Sequence, residues 1–510
     1  MKKITLASLL LLSAASLAKG AEPVRFDYSA SLSANASTGA YAPYMIGSWN
    51  SGRVNGANGI WQDGLIKKDL DLTKRFSWGM GFEYIAGYGS AAPYDRYESA
   101  TETWTTNHVR QAPFRLLQLY AELKYRSVYL IVGPKERHSR IVDDQLSSGD
   151  ITRSNNAMPI PGAAAGFLDF QDIPFTNGWV QIDGEIMYGR TFDKDYKQST
   201  FNYYSGLLSL DNWYTYKRCY FRTKPTQPFS IIVGMQAAGM FAGYATHYRF
   251  GKITREENRG FHIRDLWDMF FPREGSGESF YKGNSLGSWD FKARYNFKNG
   301  STLAAYFEWP WEDGSGIGRR NGWDGLWGVQ YNFPSNKGIG KVLFEYFDFT
   351  NQSGPIHWSP TDHPGSDIEG FKATGGDNYY NNDFYGPYSN FGMSIGSPFP
   401  VSPVYNKDGM PNFTHNRARG VHAAVSGNIL PTLGYVAKFS WQEAGGTGRY
   451  PGKEILYDTS AMIGADWKPS VKIPLTLRLK VAFDTGRLRG DNFGAMLTAV
   501  YDGSFKLGKK

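Results

Sequence analysis

Residues 76–88 read FSWGMGFEYIAGY. Phe76, Trp78, Met80, Phe82, Tyr84, Ala86 and Tyr88 take one parity, and Ser77, Gly79, Gly81, Glu83, Ile85 and Gly87 the other. Successive side chains on a strand point to opposite faces, so a period of two predicts a strand with one apolar, aromatic face. The pattern recurs. Val180, Ile182, Ile186 and Tyr188 alternate with Gln181, Asp183, Glu185 and Met187. Phe291, Ala293, Tyr295 and Phe297 alternate with Lys292, Arg294 and Asn296. Leu475, Leu477, Leu479, Val481 and Phe483 alternate with Thr476, Arg478, Lys480 and Ala482. A soluble sandwich shows alternation too, but rarely so many long aromatic strands in a chain of mean hydropathy -0.44. A transmembrane barrel accounts for both faces, with apolar residues toward lipid and polar residues toward the lumen.

The amino terminus fits an exported protein. Lys2 and Lys3 precede an apolar run from Ile4 to Leu17, followed by small residues at Ala18 and Gly20. We expect a signal peptide over residues 1–20 and a single barrel domain over 21–510. A buried or spanning helix is the alternative, but the run is short for a span. The lone Cys219 lies far from the cleavage site and excludes an internal disulfide framework. No later segment approaches ~18 uninterrupted apolar residues, so helical spans are not expected. Together these features point to the bacterial outer membrane.

The 510 residues show no composition break or linker, which suits one large closed sheet. The 33 Tyr, 33 Phe and 15 Trp exceed ordinary needs; interfacial girdles use many, and sugar stacking is a second use. Loss of Lys2, Lys3 and Lys19 with the signal peptide brings the formal net charge from +8 to about +5. Basic residues are dispersed and no nucleic-acid motif is present, so nucleic acid is discounted as a partner.

Strands are predicted near 25–34, 76–88, 115–125, 127–133, 179–192, 213–224, 229–245, 289–297, 302–309, 325–333, 341–349, 386–396, 417–427, 434–443, 456–467, 473–484 and 493–502. Bacterial barrels usually have even strand numbers, so a further strand is expected within 38–66 or 160–172, giving about eighteen. Asn299-Gly300 predicts a tight hairpin between 289–297 and 302–309. Asp265 to Phe271 has the pattern of a short amphipathic helix. Residues 310–324, 350–385 and 397–416 form long connections. Counting from an inward-running last strand puts 350–385 on the periplasmic side; assuming a periplasmic Asn-Gly turn puts it outside.

A resemblance emerges from residues 145 onward. Ser147-Ser148-Gly149-Asp150 is followed by Ser154-Asn155-Asn156-Ala157-Met158-Pro159-Ile160-Pro161-Gly162. Gly189-Arg190-Thr191-Phe192-Asp193, Gly283 to Ser288, Asn378-Tyr379-Tyr380-Asn381 and His415-Asn416-Arg417-Ala418 follow in order. This series resembles the Wzi-type capsule assembly family, with Met158 where that family commonly has arginine. The resemblance covers the chain from about residue 115 onward. It implies an all-β, eighteen-stranded outer-membrane barrel with a periplasmic helical element and loops occluding the outer mouth. It also implies a lectin-like role, holding capsular polysaccharide or exopolysaccharide at the cell surface. Ser154, Asn155, Asn156 and Pro159 carry the motif; their alternative reading is a loop shaped by asparagines that tolerate positive φ.

A glycan site needs aromatic faces for sugar C–H surfaces, with carboxylates and arginines for hydroxyls and acidic groups. Trp309, Trp311, Glu312, Asp313, Arg319, Arg320 and Trp323 supply that mixture within one connection, and Trp358, His357 and Asp362 form a weaker cluster. An interfacial girdle with a solvated loop is the alternative. Enzyme signatures are poor, and the eight histidines show no metal spacing, so no enzyme, cofactor or metal is expected. A sugar porin or polymer exporter, or a barrel enzyme on lipid or glycan, are the competing classes. Lumen-facing Glu122, Lys124, Asp183, Glu185, Lys292, Arg294, Arg478 and Lys480 would be solvated in an open pore and paired in a plugged one. The expected partners are the polysaccharide, outer-membrane lipid and the barrel-insertion machinery, around a monomer.

Overall fold

A computed structural model describes residues 23–271, 283–312, 322–352, 377–448, 450–470 and 472–508. The expected signal peptide lies outside these residues. Eighteen antiparallel strands close into a barrel. In order they are Val24–Ser37, Gly59–Lys68, Phe76–Gly89, Phe114–Tyr125, Val128–Val132 and Gly162–Phe167, the last resuming at Gln171–Asp172. Val180–Arg190, Trp213–Thr223, Phe229–Phe241, Gly283–Asn296, Thr302–Glu312 and Gly325–Asn332 follow. Lys341–Asp348, Ala418–Leu430, Leu433–Gly446, Pro451–Trp467, Leu475–Gly486 and Asn492–Leu507 complete the wall. Closure comes from the first strand pairing with the last, from Val24 opposite Leu507 to Ser37 opposite Gly494.

Alternation places the apolar side chains outward. Phe291, Tyr295 and Leu479 are exposed on the outer surface, while Asp183, Asp290, Glu308 and Glu345 on the opposite parity are fully buried. A soluble protein would not present such a belt to water; lipid is the solvent that matches it.

Both hidden-strand candidates prove to be wall strands, Gly59–Lys68 and Gly162–Phe167. Their glycine- and alanine-rich or lysine-ended sequences mask the alternation. The expected strand at 386–396 is not in the wall. It forms a small turn in which Ser389–Asn390 pairs with Met393–Ser394 inside the barrel. That false strand explains the conflict over sidedness. With it removed, the end that holds both termini carries only short turns, the Asn299-Gly300 turn among them. Gly300 there has φ +86°, which glycine adopts without steric cost. The other end, here called the loop end, carries every long connection and the short links 447–450 and 487–491. In outer-membrane barrels the short turns face the periplasm and the long loops face outward.

The helical elements also correct an expectation. Tyr44–Gly47, Lys194–Thr200 and Ile263–Phe270 belong to loop-end connections, so none is on the short-turn side. The helix Ile263–Phe270 lies against the outer wall. Met269 is buried, and a Cβ at Gly283 or Gly239 would stand 2.5 or 2.9 Å from its tip, so these glycines make room for it. Lys217, on the outward parity, donates to the Met269 carbonyl at 2.8 Å and to that of Phe270, satisfying carbonyls at the helix C-terminus. Ile263 and Trp267 remain exposed, so the helix offers an apolar edge beside the barrel.

Candidate functional site: a plugged lumen beneath an aromatic rim

Three loop-end connections fold back into the barrel, residues 38–58 and two interlocked segments. The first of the interlocked pair, residues 133–161, carries the Ser147 to Pro159 motif. Ser147 Oγ donates to Glu345 Oε1 at 2.6 Å, and Ser148 N to Glu345 Oε2 at 2.7 Å. Ile151 N donates to Glu308 at 3.0 Å, and Gln236 Nε2 to Asp150 at 2.9 Å. Thr152 and Ser288 share a hydroxyl contact of 3.0 Å, and His422 Nε2 lies 2.7 Å from the Leu146 carbonyl. These partners lie on one arc of consecutive wall strands, from Phe229–Phe241 to Ala418–Leu430, so the segment lines that side of the lumen.

The second segment, within 377–417, interlocks with the first. Tyr388 Oη donates to the Thr152 carbonyl at 2.8 Å, and Ser397 Oγ to that of Ser148 at 3.0 Å. Asn156 Nδ2 donates to the Ser394 carbonyl at 3.0 Å, and Ser154 Oγ to that of Gly396 at 2.7 Å. Apolar packing seals the remainder. Ile141, Leu146 and Ile151 cluster with Tyr214, Leu286, Leu326, Leu343 and Phe399. Tyr44, Met45 and Ile46 pack against Met462 and Ala482, and Val54 against Trp61, Ile85 and Leu117. The core of this barrel is its plug.

Of the lumen charges, Glu122, Asp183, Glu185 and Lys292 are engaged by the plug, whereas Lys124, Arg294 and Arg478 bond to turn or wall groups. Lys135 meets Glu122 at 2.6 Å, and Arg140 meets Asp183 at 3.3 Å. Arg153 reaches Glu185 at 3.1 Å and lies 3.4 Å over the Tyr216 ring. Arg53 bridges Asp63, Glu83 and Glu136. Burial works against ionisation of Glu136, yet the Arg53 guanidinium holds its carboxyl below the ordinary range. Asp143 is lowered in the same way: burial opposes its charge, and a 2.7 Å bond from Lys341 favours it.

Above the plug stands an exposed aromatic platform. The hairpin Ala92–Glu98 with Thr103–Val109 brings up Tyr97 and Trp104. Residues 201–210 add Tyr204, and the three-stranded sheet of Gly206–Leu210, Gly243–Arg249 and Lys252–Arg259 places Phe250 at its turn. Tyr97 and Tyr204 rings are 4.9 Å apart, Trp104 and Tyr204 5.1 Å, and Tyr204 and Phe250 5.9 Å. Trp104 and Phe250 are exposed. Arg96 lies 4.7 Å over the Tyr203 ring and Arg249 5.4 Å over Phe250. Gly251 has φ +74°, and a Cβ there would sit 2.3 Å from the Tyr97 ring, so glycine lets the turn close against it. Bonds from Asp95 N to the Lys407 carbonyl and Asn202 N to that of Gly409 tie the platform to the second plug segment. Contiguous rings flanked by guanidinium groups suit a sugar's C–H face and its hydroxyl or acidic groups.

The residues singled out from sequence are placed differently. Trp309 and Trp323 stack at 5.1 Å on the outer face, beside Phe307 and Trp327 at 3.7 Å. Their position is that of an interfacial girdle. Trp311 is buried, with Glu312 accepting from Tyr380 N at 2.6 Å. Asp313, Arg319, Arg320, His357, Trp358 and Asp362 lie outside the described residues. Asn155 and Asn156 are structural tethers: their carbonyls accept from Ser51 N and Gly52 N at 2.8 and 2.9 Å. Pro159 lines a small cavity beside Met158 and Met187. The platform was missed because its rings come from segments 97–104, 204 and 250, which no local pattern connects. The only sequence signal is the pairing of aromatic and basic residues in Arg96-Tyr97 and Arg249-Phe250.

No protein-family model and no curated protein sequence matches the chain. Solved structures do. Wzi, an outer-membrane protein involved in group 1 capsule assembly in Escherichia coli and described as a carbohydrate-binding β-barrel, aligns with a TM-score of 0.55. Identity is 11%, covering 99% of this chain and 88% of that one. OccAB2 of Acinetobacter baumannii aligns at TM-score 0.45 and 10% identity, covering 94% of this chain and 98% of that one. OpdK of Pseudomonas aeruginosa, solved with vanillate, aligns at TM-score 0.43 and 8% identity, with coverage of 94% and 98%. A closed eighteen-strand wall with an apolar belt, together with an alignment to Wzi over almost its whole length, makes this chain an outer-membrane-type β-barrel with the fold of Wzi.

Proposed function

We propose that the protein binds a surface polysaccharide at its loop end and helps retain or assemble it there. The aromatic platform carries this reading. It offers stacking faces and arginines at the end opposite the termini, over a lumen filled by interlocked segments. A barrel filled in this way favours holding a polymer over passing it. The likeness to Wzi, a carbohydrate-binding barrel, supports the same direction. No acid/base pair is invoked; the role is binding, not catalysis. Arg319 and Arg320 are proposed as further contacts, because their connection leaves the wall at Glu312 and rejoins it at Gly325, both at the loop end.

The test is retention of capsular polysaccharide or exopolysaccharide by cells carrying Trp104→Ala with Phe250→Ala. Each ring removed should cost roughly 1–2 kcal/mol of binding, about tenfold or more in affinity. The variant should insert normally and shed more polymer into the medium. Unchanged retention would remove the platform. Unchanged retention in a full deletion strain would remove the function.

A further inference from the structure

A second site opens at the other end of the barrel. Between the underside of the plug and the short-turn mouth lies a cavity of about 600 Å³, within the roughly 300–1,000 Å³ range of ligand sites. Five cationic side chains line it, Arg140, Arg222, Lys292, Arg294 and Lys341, against one carboxylate, Asp169. Three of the five are engaged by the plug or the wall. Arg140 meets Asp183 at 3.3 Å, Lys341 meets Asp143 at 2.7 Å, and Lys292 donates to the Ile141 carbonyl.

Arg222 and Arg294 differ. Arg222 donates to Gln181 Oε1 at 2.7 and 2.9 Å and lies 4.0 Å over the Phe170 ring. Arg294 donates to Asn296 Oδ1 at 2.8 Å. Among the described residues neither meets a carboxylate within ion-pair distance. Both occupy lumen-facing parity near the short-turn end. Their hydrogen-bond partners are neutral and orient them. Around them the lining supplies hydroxyls and amides, Ser230, Thr302, Gln330 and Asn332. The cavity combines surplus positive charge and neutral donors and acceptors with the apolar surfaces of Phe170, Pro225, Ile232 and Ala304.

We infer that this cavity binds the acidic groups, carboxylate or phosphate, of a saccharide entering from the short-turn end. Guanidinium forks match both groups by paired hydrogen bonds, and the hydroxyl- and amide-rich lining matches sugar hydroxyls. A simple inorganic anion would need the charge but not that polar lining. The site is separated from the loop-end platform by the plug, so it does not depend on the proposed surface role.

The test is calorimetric titration of the full-length protein in detergent micelles. Tetragalacturonate supplies carboxylates, mannose 6-phosphate supplies phosphate, and maltotetraose is the neutral control. At least one acidic sugar should bind, more weakly as salt is raised, while maltotetraose should not compete with it. Arg222→Gln with Arg294→Gln should lower affinity for the acidic sugar by about tenfold or more. Preserved heat-modifiable migration on gels checks that this variant still forms a barrel. Should it misfold, Arg294→Gln alone, at an exposed side chain, should still weaken binding. Equal binding of neutral and acidic sugars, tighter binding of inorganic phosphate than of either acidic sugar, or undiminished affinity in the folded variant would overturn the inference. Unchanged surface retention in the Trp104→Ala, Phe250→Ala protein, with this titration intact, would instead remove the loop-end reading.

Discussion

Ser147 Oγ donates to Glu345 Oε1 at 2.6 Å, joining the plug to a wall strand nearly two hundred positions away in the chain. Glu345 is fully buried and also accepts from Ser148 N and the Tyr306 hydroxyl. One carboxylate therefore holds three donors. Glu345→Ala should leave each without its acceptor, at about 1–3 kcal/mol for every buried donor not satisfied elsewhere. The expected result is a lower unfolding temperature in detergent and transient openings in planar bilayers, where the native protein is expected to show little conductance. Steady silence with unchanged stability would rule out Glu345 as an anchor.

Tyr306 reaches Glu345 by crossing Gly328, which pairs with both residues on the intervening strand. A Cβ at Gly328 would stand 2.1 Å from the Tyr306 ring. Gly328→Val should push the ring away and detach its hydroxyl. We expect a milder form of the Glu345→Ala conductance change, because Ser147 and Ser148 keep their acceptor. A conductance matching Glu345→Ala or larger would show that Gly328 supports more than this one ring.

The plug should loosen in acid. Glu136 and Asp143 both have carboxyls held below their ordinary values, 4.5 and 3.8, in the folded state. Lowered carboxyl pKa values stabilise the fold above the unfolded values, and that contribution is lost as pH falls through the folded ones. Bilayer conductance should rise as pH falls below about 4.5 and recover on neutralisation. Glu136→Gln should flatten part of the response. A pH-independent current would exclude these pairs as the plug's restraint.

The outer face should behave as a lipid contact. Spin labels at Phe291, Tyr295, Leu477 and Leu479 are expected to meet lipid-soluble quenchers and not aqueous ones. Leu479→Arg should cost up to about 2–4 kcal/mol of folding stability in bilayers, the larger value nearer the midplane. Folding titrations into lipid vesicles measure this directly. Quenching from water alone would contradict the orientation.

How much of this was legible beforehand differs by element. Trp78 to Tyr88 and Leu475 to Phe483 declare their faces by alternation. Gly162–Phe167 has almost no contrast between its faces, so alternation does not mark it. The segment 386–396 looked like a strand because Tyr388, Ile395 and neighbouring small residues mimic one. It lies largely buried in the plug instead, where Tyr388 N donates to the Tyr380 carbonyl, Ser394 N to Ser402 Oγ and Val404 N to the Gly392 carbonyl. The motif around Asn155 and Asn156 was visible, but its partners at Ser51, Gly52 and Ser394 were not.

The sequence by itself determined the strand faces and the barrel class. Those follow from local periodicity and from the rule that a membrane-spanning sheet must close on itself. Only the tertiary structure decided which connections enter the lumen, which end is loop-rich, and which aromatics meet. Trp309 and Trp104 read alike along the chain; one stacks in the outer girdle and the other stands on the rim. Trp309 stacks on Trp323 just before the next wall strand, whereas Trp104 meets Tyr204 a hundred residues away, a contact that only the folded loop end creates.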